Sequence, residues 1–105
     1  VKAIDVVEYD KKYENIISNL LGKMVIVDIF VPSLDKTYNF MLDESSKVEL
    51  LMVEIIEMID NREGLTSSYA EGNFALCDRD KEIVLDPGKK LGEQGIETSA
   101  NLVLV

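Results

Sequence analysis

Apolar residues crowd the stretch Met24–Val31, interrupted only by Asp28, and Tyr38–Leu42 runs aromatic, polar, aromatic, apolar, apolar. Between the two runs, Pro32-Ser33-Leu34-Asp35-Lys36 supplies turn chemistry, so the pattern predicts an antiparallel hairpin. Its inner face would carry Val25, Val27 and Ile29 from one strand and Tyr38, Phe40 and Leu42 from the other, because strand side chains alternate between faces. The period then changes. At ~100° per residue, Val48, Leu51, Met52, Ile55, Ile56, Met58 and Ile59 share one broad helical face. Glu49, Glu54, Glu57 and Asp60 fall opposite, accompanied by the out-of-place Leu50 and Val53. Ser45 or Ser46 starts this helix, and Ser46-Lys47-Val48-Glu49 has the spacing of a capping box. Asn61–Asn73, with Gly64, Ser67, Ser68 and Gly72, reads as a loop. Phe74–Cys77 and Glu82–Leu85 flank Asp78-Arg79-Asp80-Lys81 as a second hairpin. A turn at Asp86-Pro87-Gly88, an irregular or 3₁₀ segment over Leu91–Ile96 and a last strand at Asn101–Val105 complete the main body.

Ahead of it, Tyr13, Ile16, Ile17, Leu20 and Leu21 recur at i, i+3, i+4, i+7 and i+8 and predict an amphipathic helix over Asp10–Leu21. Asp10 can cap its start and Gly22 its end. Val1–Tyr9 fits a short strand or an extended arm. The chain therefore divides into an N-terminal extension over residues 1–22 and an α+β domain over 23–105.

Composition narrows the function classes. The chain has 105 residues, 47% hydrophobic and 30% charged, enough for one globular domain. Twenty acidic residues against eleven basic ones leave a net charge of −9. That charge disfavours nucleic acid and anionic membranes and favours protein partners with basic or apolar contact surfaces. The longest apolar runs, such as Met24–Val27 and Leu50–Val53, are too short for direct membrane insertion. One cysteine, Cys77, permits no internal disulfide. With no secretory signal and no Asn-x-Ser/Thr acceptor, a cytoplasmic location is expected. The first residue is Val1 rather than Met, which fits a cropped chain.

The order hairpin, helix, strand, short strand, final strand resembles the ubiquitin-like β-grasp proteins. The most specific feature is Leu91-Gly-Glu-Gln-Gly-Ile96, five residues, then Asn101-Leu102-Val103-Leu104-Val105. Ubiquitin-like domains share this Leu, four residues, Ile, five residues, Leu-x-Leu spacing. The resemblance implies that Leu91 and Ile96 plug the bottom of the core, with Leu102 and Leu104 on a central strand beneath the helix. It covers Lys23 to Val105; the extension before Lys23 lies outside the basic pattern. A chain that stops on Val105 has no terminal Gly-Gly, so the resemblance implies a non-conjugated member. Size, acidity and the missing tail are most similar to the YukD/EsaB-like family associated with type VII secretion.

Catalytic chemistry finds little support. There is no histidine, hence no imidazole to act as general base or metal ligand. Cys77 has no neighbouring base in sequence and reads as a small packing residue. Asp78, Asp80 and Glu82 alternate as a calcium loop begins, but Ile83 and Lys89 stand where that loop needs Gly and Glu. Gly88, Gly92 and Gly95 match neither a P-loop nor a dinucleotide fingerprint. No enzyme activity, no cofactor and no metal are expected.

One feature departs from an ordinary domain. Outward positions of the sheet would carry Met24, Ile26, Asp28, Phe30, Asn39, Met41, Ala75, Cys77, Val103 and Val105, most of them apolar. A face of that kind needs a cover. Either the Tyr13–Leu21 helix lies on it, within one chain or exchanged in a homodimer, or a partner docks there. In ubiquitin-like proteins this face is the usual recognition surface. The candidate partner-binding residues are therefore Met24, Ile26, Phe30, Met41, Ala75 and Val103, with Tyr13, Ile17 and Leu21 from the extension. The expected function is a non-conjugated ubiquitin-like adaptor, an accessory of a bacterial type VII secretion system. The alternatives are a regulatory subunit of a larger enzyme and a modifier or sulfur carrier cut before its Gly-Gly tail.

Overall fold

The computed structural model describes residues 2–6, 24–65 and 74–105. Six strands form one mixed sheet: β1 (Ala3–Asp5), β2 (Met24–Val31), β3 (Lys36–Asp43), β4 (Leu76–Asp78), β5 (Ile83–Val84) and β6 (Asn101–Leu104). Their order across the sheet is β1-β3-β2-β6-β4-β5. The hairpin β2–β3 is antiparallel in the register Val25↔Leu42, Val27↔Phe40, Ile29↔Tyr38, and β6 runs parallel to β2 at the centre. One long helix, α1 (Val48–Glu63), packs on one face. This is the α+β, ubiquitin-like β-grasp architecture expected from the element order. Among the described residues no helix is long and apolar enough to cross a membrane. The predicted helix over Asp10–Leu21 lies outside the described residues.

The core follows the two periodicities. Val25, Val27, Ile29, Tyr38, Phe40 and Leu42 from the hairpin meet Val48, Leu51, Met52, Ile55, Ile56 and Ile59 from α1, all buried. Met58, on the edge of that helical face, packs partly against the core. The out-of-place Leu50 is exposed and Val53 half-buried. Leu91, at 0% exposure, and Ile96, at 2%, both fill the core beside Leu102 and Leu104. Between them Gly92–Gln94 forms a 3₁₀ turn that ends on Gly95 at φ 77°, a left-handed conformation that suits glycine.

The start of α1 differs from the capping-box expectation. Its N-cap is Lys47, with no side-chain cap. The Val48 N–H donates instead to the Lys89 carbonyl and the Glu49 N–H to the Pro87 carbonyl, both at 3.0 Å. The Asp86–Lys89 turn thus satisfies donors that a helix start leaves open, and the Ser46 hydroxyl is not needed. Asp86 is itself fixed from a distance: its N–H donates to Gln94 Oε1 at 2.6 Å and its carbonyl accepts from Gln94 Nε2 at 2.9 Å. The helix ends on Gly64 at φ 66°.

The first residues resolve as a strand. β1 pairs antiparallel with β3 in the register Ala3↔Leu42, Ile4↔Met41, Asp5↔Phe40, adding a sixth strand beyond the β2–β3 hairpin. Ala3 and Asp5 face α1. Asp5, only 2% exposed, accepts from Arg62 Nη1 at 2.9 Å, and the Lys2 N–H donates to Glu54 at 3.1 Å. Arg62 also stacks 5.5 Å above the Tyr38 ring, whose hydroxyl donates to Glu63 at 2.8 Å. Glu63 in turn pairs with Lys36 at 2.7 Å. The N-terminal strand, the helix end and the hairpin are joined by one run of polar contacts.

Candidate functional site

Alternation along the strands decides what the far face of the sheet carries, and register decides how those residues line up. Because β2 buries its odd-numbered residues against α1, Met24, Ile26, Asp28 and Phe30 project the other way. Cross-strand partners share a face, so three rows can be read across the sheet. The first is Ile4–Met41–Ile26, with Met24 beyond it. The second is Asn39–Asp28–Asn101. The third is Thr37–Phe30–Val103–Cys77–Val84. Ala75 and Val105, tied by reciprocal backbone hydrogen bonds of 2.7 and 3.0 Å, lie opposite each other next to the Val103–Cys77 pair and widen this area along the strands.

The outer face is therefore not one continuous apolar patch, as the outward residues alone suggested. The Asn39 amide donates to the Asp28 carboxylate at 2.8 Å, and Asn101 on the other side donates to Asp80 at 3.3 Å. This polar row separates two apolar areas. Met24 and Met41, half-buried, and Ile26, 42% exposed, belong to the area nearest β1. Phe30, Val103 and Ala75, all half-buried, belong to the area that continues over β6, β4 and β5. Tyr13, Ile17 and Leu21 lie outside the described residues.

Two members of the second area were missed as binding candidates. Val84 is 67% exposed and closes the row next to Cys77. A two-residue strand is too short for alternation to assign its face; only its pairing with Cys77 does. Cys77 is a free, half-buried thiol between Val103 and Val84, so it packs on this open face rather than in the core. The neighbouring turn is internally bonded: the buried Asp78 carboxylate accepts the N–H of Asp80 at 3.0 Å and of Lys81 at 3.3 Å. Among the described residues, no group of His, Cys, Asp and Glu is placed to hold a metal. What the arrangement offers is contact area: a shallow apolar strip with a polar border, suited to a protein surface.

No protein-family model matches the chain, and no curated protein sequence does. Solved structures do. The ubiquitin-like domain of an Arabidopsis thaliana protein superposes with TM-score 0.58 at 23% identity, over 79% of this chain and 77% of that one. The EccD5 ubiquitin-like domain from Mycobacterium xenopi gives TM-score 0.58 at 21% identity, over 78% of this chain and 92% of that one. A chain of an ESX-5 inner membrane complex gives TM-score 0.59 at 19% identity, over 79% of this chain but only 21% of that much longer one. At these identities the likeness is one of fold, and the fold is ubiquitin-like.

Proposed function

We propose that this domain works by binding protein partners through the β2–β6–β4–β5 half of its outer sheet face and catalyses nothing itself. The observation that carries the reading is the row Phe30–Val103–Cys77–Val84, apolar, open and set in an acidic chain. Apolar side chains in such a row gain by leaving water only if another surface meets them. The partner is a component of a bacterial type VII secretion apparatus. Support comes from the fold likeness to the EccD5 ubiquitin-like domain and to a chain of an ESX-5 inner membrane complex. The chain's charge of −9 adds steering toward a basic rim around an apolar centre.

Site-specific photo-crosslinking in producing cells tests this. A photoreactive residue at Val103 should capture a secretion-machinery component, whereas one at Glu57, exposed on α1, should not. Capture of an enzyme at Val103 would favour the regulatory-subunit reading. Equal capture from both positions would refute docking through this face.

A further inference from the structure

Asp28 is the one acid in the apolar run Met24–Val31, on a central strand, where aspartate is disfavoured. It is exposed and projects onto the outer face between Ile26 and Phe30, at the boundary of the two apolar areas. The three ion pairs among the described residues, Lys36–Glu63, Arg62–Asp5 and Lys81–Asp78, leave it out. Asn39 Nδ2 donates to Asp28 Oδ1 at 2.8 Å and to the Val27 carbonyl at 3.2 Å, so both amide hydrogens are committed. Asn101, on the other flank, donates to Asp80 instead. Among the described residues no donor reaches Asp28 Oδ2 or Asn39 Oδ1.

These groups belong to a hollow that is formed in advance. It is lined by Ile26, Val27, Asp28, Asn39, Thr98 and Ser99 and encloses about 140 Å³. One water takes up ~30 Å³ in the liquid, so a guanidinium or an ammonium group has room here. The rim is tied to β2 by three hydrogen bonds. The Ile26 N–H donates to Thr98 Oγ1 at 3.2 Å, the Ser99 N–H to the Ile26 carbonyl at 2.8 Å, and the Asp28 N–H to the Ala100 carbonyl at 3.1 Å. A site held this way loses little to ordering when a ligand enters. The side-chain valences left open at Asp28 and Asn39 are acceptors, and one of them carries a negative charge. Their complement is a cation with several N–H donors, which among side chains means Lys or Arg.

We propose that Asp28 selects the partner: the segment that docks on the Phe30–Val103–Cys77–Val84 row also sets a Lys or Arg side chain into this hollow. The proposal rests on the docking reading and deepens it. Phe30 lies two residues from Asp28 on the same face, and Val103 lies two from Asn101 on the neighbouring strand. At ~3.3 Å per residue, the partner's cation and its apolar contact stand about 7 Å apart. Two positions along an extended segment, or one turn along a helix, supply that spacing. The occupant is thus a basic and apolar protein segment, opposite in sign to this chain of charge −9. A neutral or acidic segment would cover the Asp28 carboxylate without compensating it, which counts against such partners.

Photo-crosslinking from Val103 in the full chain, in producing cells, tests this through substitutions away from the crosslinker. Asp28→Lys should reduce capture at least about tenfold, since like charges would then meet. Asp28→Asn, close in shape, should reduce it several-fold. Glu57→Lys, the same charge change on the exposed side of α1, should leave it within about twofold, because remote surface charges are screened. The captured segment, identified by mass spectrometry, should contain a Lys or Arg whose change to Glu restores capture by the Asp28→Lys chain. Amide spectra establish that each variant folds, and Asp28→Asn decides alone if Asp28→Lys does not fold. Unchanged capture from the Asp28 variants would overturn the proposal and leave docking through this face standing. An equal loss in Glu57→Lys would reduce Asp28 to a share of the bulk charge and overturn it as well. No capture by the parent chain would refute docking itself, and this proposal with it.

Discussion

Arg62 ties the N-terminal strand to the end of α1 and to the hairpin. It reaches the buried Asp5 carboxylate at 2.9 Å and caps the Tyr38 ring at 5.5 Å. Removing one partner of a buried ion pair leaves the other charge poorly compensated. Arg62 is one-third exposed, so Arg62→Met should cost about 3 kcal/mol, the low end of that class, measured by denaturant unfolding. Asp5→Asn, which keeps a polar group in place, should cost less. Tyr38 reports on the same network by titration. Burial, followed by its hydrogen bond to Glu63, pushes its hydroxyl up to about 12. A folded-state pKa raised above the unfolded value of ~10 means stability that is complete below that pH and lost as pH climbs to about 12. Tyr38→Phe should flatten that alkaline fall, and the late phenolate step in absorbance should be missing from the variant. Glu63 carries the opposite sign. Its pairing with Lys36, then its bond from Tyr38, holds its carboxyl low, so its contribution is present above the usual carboxylate range and fades in acid. None of this network was legible in the sequence, because Asp5 and Arg62 are 57 positions apart and nothing local marks either as paired.

At the scale of elements, long-range contacts replaced a local rule at one place and obeyed one at another. The Ser46–Glu49 spacing suggested a capping box, but carbonyls of the turn at Asp86–Lys89 take the helix N–H groups instead. Loss of the Ser46 hydroxyl should therefore not cost the ~1 kcal/mol typical of a lost cap. Gln94→Ala should matter more. Its side chain brackets both backbone groups of Asp86, so about 1–2 kcal/mol should be lost from two hydrogen bonds, together with order at the start of α1. The Leu91–Ile96 spacing, by contrast, was fully legible. Apolar residues at fixed separation in an otherwise polar loop have no solvent-side explanation, and both are buried. Ile96→Ala should cost ~2–5 kcal/mol, as should Ile55→Ala on the facing helix, with unfolding midpoints as the readout.

The whole molecule explains why the outer face was only half readable. Alternation correctly sent Ile26, Phe30, Met41 and Val103 outward, since that depends on strand period alone. Their grouping depends on register, and register placed Asn39, Asp28 and Asn101 side by side as a divide. A strand as short as β1 left no periodic signal, yet its pairing with β3 extends the sheet beyond the β2–β3 hairpin. The account predicts that the β6–β4–β5 half stays open in the free chain and closes on a partner. Cys77 is a native reporter at its centre. The decisive measurement is the rate at which a maleimide modifies Cys77, relative to a cysteine introduced at the exposed Glu57, in the purified chain and inside producing cells. Docking through this face predicts ready labelling of Cys77 in the purified, folded chain and a clear drop in its rate relative to position 57 in cells. The same ratio in both settings, or labelling of the purified chain only as fast as it unfolds, would contradict it.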